Sequence, residues 1–160
     1  MLEARHAPVL IVLASAGALA AAFAWQHVGG LAPCPLCIWQ RWPYVATIVL
    51  GLAALGLARG RARQRLVGLA GLVFLAGAGI ALFHVGVEAH WWPGLAECSG
   101  TATLGAQSID DLRRTLLDTP PVPCDAVPWS LFGISIAGYN LIASLALDAA
   151  SLAATVRSDR

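Results

Sequence analysis

The chain has 160 residues, of which 58% are hydrophobic and 12% are charged, a composition far from that of a soluble globular domain and typical of a membrane protein. Its ten basic residues, all arginine, nearly balance nine acidic residues, and the resulting net charge of +1 excludes the strongly basic surface of a nucleic-acid-binding protein. The length suits one domain, and neither an internal repeat nor a linker divides it.

Four apolar stretches each approach or exceed the roughly 20 residues that a helix needs to cross a bilayer. They cover about residues 8–28, 38–58, 66–87 and 129–150. They lack the alternation of strands, and an isolated helix satisfies its own backbone in lipid. The first stretch is longer than the roughly 7–15 residues of a signal-peptide core, so we expect it to be a retained helix. The sequence therefore predicts an all-α integral membrane four-helix bundle, a single domain over residues 1–160 with extramembrane loops at about 29–37 and 88–128.

Arginines indicate how the bundle is oriented. One set of helix ends is flanked by Arg5, Arg59, Arg61, Arg63, Arg65, Arg157 and Arg160, whereas the opposite loops mix arginine with acidic residues. Because cytoplasmic loops carry the excess of positive residues, we expect both termini and the 59–65 loop to be cytoplasmic. The four cysteines then lie on the other side, which in a bacterium is the oxidising periplasm. The tryptophans agree, since all six lie at predicted helix ends on the cysteine side: Trp25, Trp39, Trp42, Trp91, Trp92 and Trp129.

The segment PCPLCIWQRWPY, at positions 33–44, places two thiols three residues apart at the start of the second apolar stretch. Pro33 disfavours helix before it and Pro35 suits a first helical turn, so the helix is predicted to start near Cys34. Cys37 then lies in that first turn, where unpaired N–H groups and the helix dipole favour negative charge. Cys37 is therefore predicted to be the easier thiolate of a redox-active pair.

Arg41 lies four residues after Cys37 and seven after Cys34, so a continuous helix would place all three on one face. A permanent cation there favours a thiolate, or an acceptor that gains negative charge during reduction. The alternative is an interfacial arginine bound to lipid phosphate. Near the end of the third stretch, His84 and Glu88 are four residues apart, which fits either a proton relay or a polar pair holding two helices together.

The long loop carries the remaining cysteines, Cys98 and Cys124. Between them, SIDDLRRTLLD has apolar residues at helical spacing and predicts a short amphipathic helix over about 108–117, lying on the membrane or packed on the loop itself. From the residues alone the four cysteines leave three possibilities open. They are a redox relay, two inert structural disulfides, or a four-sulfur zinc site.

Taken together, WQHVGGLAPCPLCIWQRWPY, FHVGVEAHWWPG, the later ECSG and PCD, and four spans in this order resemble the disulfide bond formation protein B (DsbB) family over nearly the whole chain. The most specific element is C-x-x-C-I-x-x-R at the start of the second span, paired with two later cysteines. The resemblance implies a quinone-dependent protein-disulfide oxidoreductase of the bacterial inner membrane. Such an enzyme reoxidises a periplasmic DsbA-type dithiol oxidase and passes the electrons to membrane quinone, ubiquinone or menaquinone.

Carried over by residue, the resemblance makes Cys34 and Cys37 the quinone-proximal pair and Cys98 and Cys124 the partner-facing pair. It implies that Cys98 forms a mixed disulfide with the partner and that Cys124 can swap to Cys34 during turnover. Arg41 is the expected quinone-side arginine, and we place His84 and Glu88 with it as candidate cofactor-binding residues; no metal is expected. Two alternatives remain. A vitamin K epoxide reductase-like protein has the opposite cysteine order, and a non-enzymatic scaffold would hold two structural disulfides.

Overall fold

The computed structural model describes residues 2–56, 59–95, 98 and 122–158. Within these residues the chain forms α1 (Leu2–His27), α2 (Pro35–Trp39), α3 (Trp42–Gly56), α4 (Arg61–Glu88), β1 (Ser130–Leu131), β2 (Ile134–Ser135) and α5 (Ile136–Ser158). Three stretches are long and apolar enough to cross a membrane: His6–His27, Arg61–Glu88 and Ile136–Val156. With α3 as the fourth helix, the predicted all-α membrane four-helix bundle is confirmed.

The four long helices form a ring in chain order. α3 packs between α1 and α4, α4 packs along α5, and α5 returns to α1 through a smaller contact. A buried cluster that includes Ile11, Tyr44, Val67 and Phe74 fills the centre of the ring. A Cβ atom on Gly51 of α3 would lie only 2.6 Å from Val12 Cγ2 of α1. This glycine is therefore what allows α1 and α3 to pack closely, as small residues commonly do in membrane bundles.

The predicted continuous helix over 38–58 is wrong in one respect, because the second span is broken after Trp39. α2 ends there, Gln40 and Arg41 form a turn, and α3 begins at Trp42. Pro43 has no N–H to donate to the Trp39 carbonyl, and its ring disfavours a continuous helix through this point. The 15 residues of α3 span only about 22 Å at 1.5 Å per residue, less than the roughly 30 Å of a bilayer core. The break leaves Gln40 and Arg41 at the end of the bundle where Cys34 and Cys37 lie.

The last span also differs from its predicted range of 129–150. Ser130–Leu131 and Ile134–Ser135 pair as an antiparallel hairpin, and its two turn residues, Phe132 and Gly133, both have positive φ, as tight two-residue hairpins require. Ser135 then caps the helix, because its Oγ accepts a hydrogen bond from Gly138 N at 3.1 Å, a common helix start. α5 consequently runs from Ile136 to Ser158. The apolar Leu131, Phe132 and Ile134 conceal this hairpin in a hydropathy reading.

The first and third spans begin earlier than predicted but end within one residue of their predicted ends, at His27 and Glu88. The predicted amphipathic helix over 108–117 lies outside the described residues. What matters for the site is that α1 and α4 end, α2 and α3 begin and α5 starts at one end of the bundle, called here the cysteine end.

Candidate active site

Cys34 and Cys37 begin the short helix α2. Cys34 is its N-cap, and the Cys34 Sγ accepts a hydrogen bond from Cys37 N at 3.2 Å. Cys34 is buried, Cys37 is half-buried, and both are free thiols. The predicted helix start near Cys34 is therefore confirmed, with Pro35 in the first helical position where its missing N–H has no cost.

The two thiols differ in acidity. Both precede α3 and so lie outside the membrane-spanning helices. A hydrogen bond with the Cys34 side chain lowers the pKa of Cys37 to about 7, against the opposing effect of burial. The same hydrogen bond and burial raise the pKa of Cys34, and they outweigh the Cys37 amide, which acts in the other direction. Cys37 is thus the more acidic thiol and holds the negative charge more easily.

Cys98 and Cys124 form a disulfide with their Cα atoms 5.1 Å apart. Both are buried in one cluster with Cys34, Leu36 and Val87, against which Cys37 packs. The structure therefore brings together two pairs that are far apart in sequence, one oxidised and one reduced. Because Cys98 and Cys124 are bonded to each other, their sulfurs are not the ligands of a four-sulfur metal site in this state.

His84 lies between the two cysteine pairs and is only 3% exposed. Its Nε2 is 3.6 Å from the Cys34 Sγ and 3.2 Å from the Cys124 carbonyl oxygen. Its Nδ1 is 2.6 Å from the side-chain amide nitrogen of Gln40. One imidazole thus contacts the reduced pair, the backbone of the oxidised pair and a buried amide.

A chain of hydrogen bonds favours one tautomer of neutral His84. Asn140 Nδ2 donates to Gln40 Oε1, and Tyr44 Oη donates to Asn140 Oδ1, both at 2.5 Å. With its oxygen occupied, Gln40 donates through Nε2 to His84 Nδ1. Nδ1 is then an acceptor, so a neutral His84 carries its proton on Nε2. That N–H faces the Cys124 carbonyl and the Cys34 sulfur.

Arg41 is held against α1. Its Nη1 donates to Gln26 Oε1 at 2.8 Å, and its Cζ lies 4.9 Å from the centre of the Phe23 ring. Among the described side chains no carboxylate forms an ion pair with Arg41. The ion pair found among them joins His84 and Glu88. Because α2 ends before Arg41, the predicted common helix face is interrupted, but Arg41 still lines the same cavity as Cys34 and Cys37. Its charge is available to an anion in that cavity.

Glu88 joins α4 to the start of α5. Its Oε2 accepts a hydrogen bond from Ser135 Oγ at 2.5 Å, and its Oε1 is 4.0 Å from His84 Nε2. The expected proximity of His84 and Glu88 is therefore present, with Ser135 as an additional partner. Since Ser135 is also the N-cap of α5, the carboxylate helps to position that helix beside the cysteines.

A cavity of about 280 Å³ opens beside the free thiols, between α1 and α5. Cys34, Cys37, Arg41, His84 and Glu88 all reach it. Much of the remaining wall is small and apolar, with contributions from Ala18, Ala22, Ala137 and Ala143. An apolar cavity with a few convergent polar groups is the usual form of a small-molecule site.

All seven residues predicted from the sequence thus lie at the cysteine end. Sequence reasoning missed three more, Gln40, Tyr44 and Asn140, which line the same cavity and connect to His84. A signal was present, because polar side chains in otherwise apolar membrane helices are costly and usually have partners or functions.

The helical membrane bundle packs a buried disulfide against a free Cys-x-x-C pair, which is the arrangement that thiol–disulfide exchange requires. A family model described as "Disulfide bond formation protein DsbB" matches residues 4–154. The chain belongs to this family, and the resemblance inferred from its motifs is confirmed. It is accordingly a membrane protein of disulfide bond formation.

Several relatives are named "Disulfide bond formation protein B". The one from Methylococcus capsulatus is 36% identical over 160 residues, covering 94% of this chain and 93% of the relative. The one from Verminephrobacter eiseniae is 34% identical over 166 residues, covering 98% and 88%, and the one from a Polaromonas species is 29% identical over 159 residues, covering 98% and 93%. No solved structure matches the chain.

Proposed function

We propose that this protein is a quinone-dependent thiol oxidase of the bacterial inner membrane that reoxidises a soluble periplasmic DsbA-type dithiol protein. The observation that carries the proposal is the shared buried cluster of Cys34, Cys98 and Cys124 beside the cavity that Cys37 and Arg41 line. One pair is placed to exchange with the other, and the second pair reaches a site for an apolar acceptor. The proposal includes the topology predicted from the arginines, with both termini cytoplasmic and all four cysteines periplasmic.

The residues of the cavity fit a quinone head group. The volume of about 280 Å³ is close to the lower end of the roughly 300–1,000 Å³ of ligand pockets. The alanines of α1 and α5 offer a smooth apolar wall, while Arg41 and His84 offer donors. A bound quinone would supply an acceptor for two electrons and two protons. Cys37, Arg41 and the neighbouring alanines would hold it in this cavity.

Disulfide exchange accounts for the first half of the reaction. A thiolate of the partner attacks the Cys98–Cys124 bond at Cys98 and releases Cys124 as a thiolate, and the partner's second thiol then resolves the mixed disulfide. The partner leaves with a disulfide, and Cys98 and Cys124 are left as two thiols. Electrons pass inward when the Cys124 thiolate attacks Cys34 of an oxidised Cys34–Cys37 pair and releases Cys37 as a thiolate. The Cys98 thiolate then attacks Cys124, which restores the Cys98–Cys124 disulfide and releases Cys34. The common cluster of Cys34 and Cys124 favours the exchange between the two pairs.

His84 is suited to stabilise a Cys34 thiolate. Its Nε2–H faces the Cys34 sulfur at 3.6 Å and can donate a hydrogen bond to a thiolate there. The Glu88 carboxylate, with Oε1 4.0 Å from His84 Nε2, is the acidic group beside this pair. Arg41 meanwhile keeps a fixed positive charge at the cavity wall, which favours the Cys37 thiolate and any negative charge that develops nearby.

Anaerobic titration of the reduced, purified protein with ubiquinone and menaquinone analogues tests this function. Free thiols are counted after each addition. We expect two thiols to be lost for each quinone consumed, and we expect no loss in Cys37→Ser, which cannot close the inner disulfide. Thiols that persist with quinone and disappear only in air would refute quinone dependence. Quinone-dependent oxidation of a reduced DsbA-type protein by this enzyme then tests whether such a protein is its partner.

A further inference from the structure

We propose that the reduced pair Cys34 and Cys37, together with His84, forms a binding site for a soft divalent metal ion, of which Zn²⁺ is the best fit. The two Sγ atoms and a ring nitrogen of His84 all lie within 4.8 Å of one another. Zinc binds thiolate sulfur at about 2.3 Å and imidazole nitrogen at about 2.0–2.1 Å, so neighbouring ligand atoms in a tetrahedral site are roughly 3.5–4 Å apart. Small side-chain adjustments therefore suffice to place one ion among the three atoms.

The donor set selects for zinc. Two sulfurs and one imidazole are soft to intermediate ligands, which suit Zn²⁺ and disfavour Mg²⁺ or Ca²⁺. Two thiolates also cancel the charge of the ion, and this matters because Cys34 and His84 are 3% exposed and an uncompensated charge would be costly there. The hydrogen bond from Cys37 N to the Cys34 Sγ remains available to a metal-bound thiolate.

The hydrogen-bond chain behind His84 can serve either protonation state of the ring. Metal binding at Nε2 requires the proton to move to Nδ1, which then needs an acceptor. Turning the amides of Gln40 and Asn140 by 180° supplies one, because Gln40 Oε1 then accepts from Nδ1 and Gln40 Nε2 donates to Asn140 Oδ1. Asn140 Nδ2 then donates to Tyr44 Oη, whose hydrogen can turn to Ser144 Oγ at 3.2 Å. Since hydroxyls both donate and accept, the members of the reversed chain remain paired with one another. The bond that is lost runs from Gln40 Nε2 to the Leu36 carbonyl, which keeps the Gln40 backbone N–H as its donor.

Three protein ligands leave a fourth position open. All three residues line the cavity, so that position faces it and can take a water molecule. The Glu88 carboxylate is a second candidate, since its Oε1 is 4.0 Å from His84 Nε2. This site differs from the four-sulfur arrangement considered from the sequence, because it uses no sulfur of the Cys98–Cys124 disulfide.

Binding has a simple balance. Two thiols release two protons, the two thiolates bind one Zn²⁺, and no electron is transferred. An oxidised Cys34–Cys37 pair offers no thiolate, so the site exists only in the reduced protein. If the proposed function is correct, zinc coordination also occupies the thiolate lone pairs of Cys34 and Cys37 that disulfide formation needs. Zinc is then a reversible inhibitor that acts on the reduced enzyme. The binding itself does not depend on that function.

The test uses the full-length protein in detergent with Cys98→Ser and Cys124→Ser, so that Cys34 and Cys37 are the remaining thiols. After anaerobic reduction the protein is titrated with Zn²⁺ against a chromogenic chelator, and alkylation of both thiols is followed in parallel. We expect one ion per chain, protection of both thiols, and no binding after oxidation of the pair. Co²⁺ in place of Zn²⁺ should give sulfur-to-metal charge-transfer absorption.

Three further substitutions on the same background examine His84, and one of them is a control. His84→Ala should weaken Zn²⁺ binding at least tenfold, whereas His90→Ala, at an exposed position of the same end, should leave it unchanged. Gln40→Glu should tighten binding severalfold, because a carboxylate is a better acceptor for the Nδ1 proton of a metal-bound histidine. The proposal is overturned if the reduced protein binds no zinc or if the oxidised pair binds it equally. It is also overturned if neither His84→Ala nor Gln40→Glu changes the affinity for zinc. These outcomes are independent of quinone reduction, which the thiol titration above measures separately.

Discussion

The two sides of α5 differ in how they are packed. Against α4 the fit is close, and a Cβ atom on Gly71 would lie 3.3 Å from both Asp148 Oδ1 and Ser151 Cβ. Against α1 the contact is smaller, and at the cysteine end the two helices separate around the cavity. Small residues occur on both sides of α5. The tight contact of α5 with α4 is called here the closed seam, and its contact with α1, which leaves space for the cavity, is called the open seam. Helix proximity therefore depends on what faces a small side chain as well as on the side chain itself.

The connected polar groups lie on one side of this division. The chain of Tyr44, Asn140, Gln40 and His84 crosses behind the cavity. Polar side chains also occur elsewhere, as with Asp148 and Ser151 beside α4, but those do not reach the cysteines. Buried polar groups in a membrane are costly unless they are connected, so the connected chain beside the free thiols indicates that the open seam holds the chemistry.

The sharpest test of the division concerns Cys98 and Cys124, the outer pair, neither of which lines the cavity. Cys124→Ser removes the thiol with which this chain would resolve a mixed disulfide. The Cys98 thiolate should therefore attack the disulfide of an oxidised DsbA-type partner, release the partner's second thiolate and hold the partner as a covalent complex. Non-reducing electrophoresis and peptide mapping measure it. A partner trapped on Cys34, with none on Cys98, would show that the assignment of the two pairs is reversed.

The positive charge of Arg41, beside the open seam, is tested by substitution. Arg41→Ala removes a charged hydrogen-bond donor of about 1.5–3 kcal/mol, so kcat/KM for quinone should fall roughly ten- to a hundredfold while the Cys98–Cys124 disulfide still forms. Arg41→Lys should recover part of the loss because the charge is kept without the planar fork. Arg61→Ala, at the opposite end of the bundle, is the matched control. Normal quinone kinetics in Arg41→Ala would mean that this arginine serves only to anchor α1 or lipid.

The acidity of Cys37 gives a pH-dependent test. With a pKa of about 7, its alkylation rate should rise about tenfold per pH unit below pH 7 and level off above pH 8, because the thiolate is the reacting species. Cys34→Ala removes the hydrogen bond that contributes most to this acidity and should move the midpoint to higher pH. Glu88→Gln removes an opposing charge and should move it lower. Mass spectrometry of the alkylated peptide gives the rate, and a midpoint that Cys34→Ala leaves in place would contradict the assigned cause.

Much of the fold is predictable because helix length and apolarity are local properties. The sequence predicts four helices, and the family, from such signals and from the cysteine spacing. It does not give the break before Pro43 or the hairpin at Phe132 and Gly133 when hydropathy alone is followed, since both occur within apolar stretches. In each case one residue with a restricted or unusual backbone, a proline or a positive-φ glycine, overrides the hydrophobic pattern.

The site divides in the same way. The start of α2 at Cys34 and the closeness of His84 to Glu88 follow from spacings of a few residues, and the structure has both. The contact of Gln40 with Asn140, 100 residues apart, depends on how two helices are rotated against each other. No spacing rule contains that information. The cost of a lone polar side chain in a membrane helix indicates that a partner exists, but it does not identify the partner.

The smallest expected effect concerns the space itself. Ala22 of α1 lines the cavity, whereas Ala20, two residues earlier, is exposed and does not. Ala22→Leu should fill part of the cavity and cost about 1 kcal/mol of quinone binding, which raises the KM for quinone about fivefold with little change in kcat. Ala20→Leu adds the same side chain outside the cavity and should change neither constant. Both variants should retain the Cys98–Cys124 disulfide, which confirms that the cysteine end is assembled. If Ala20→Leu raises KM as much as Ala22→Leu, the acceptor binds on the outer surface of α1, and the open seam between α1 and α5 is not its site.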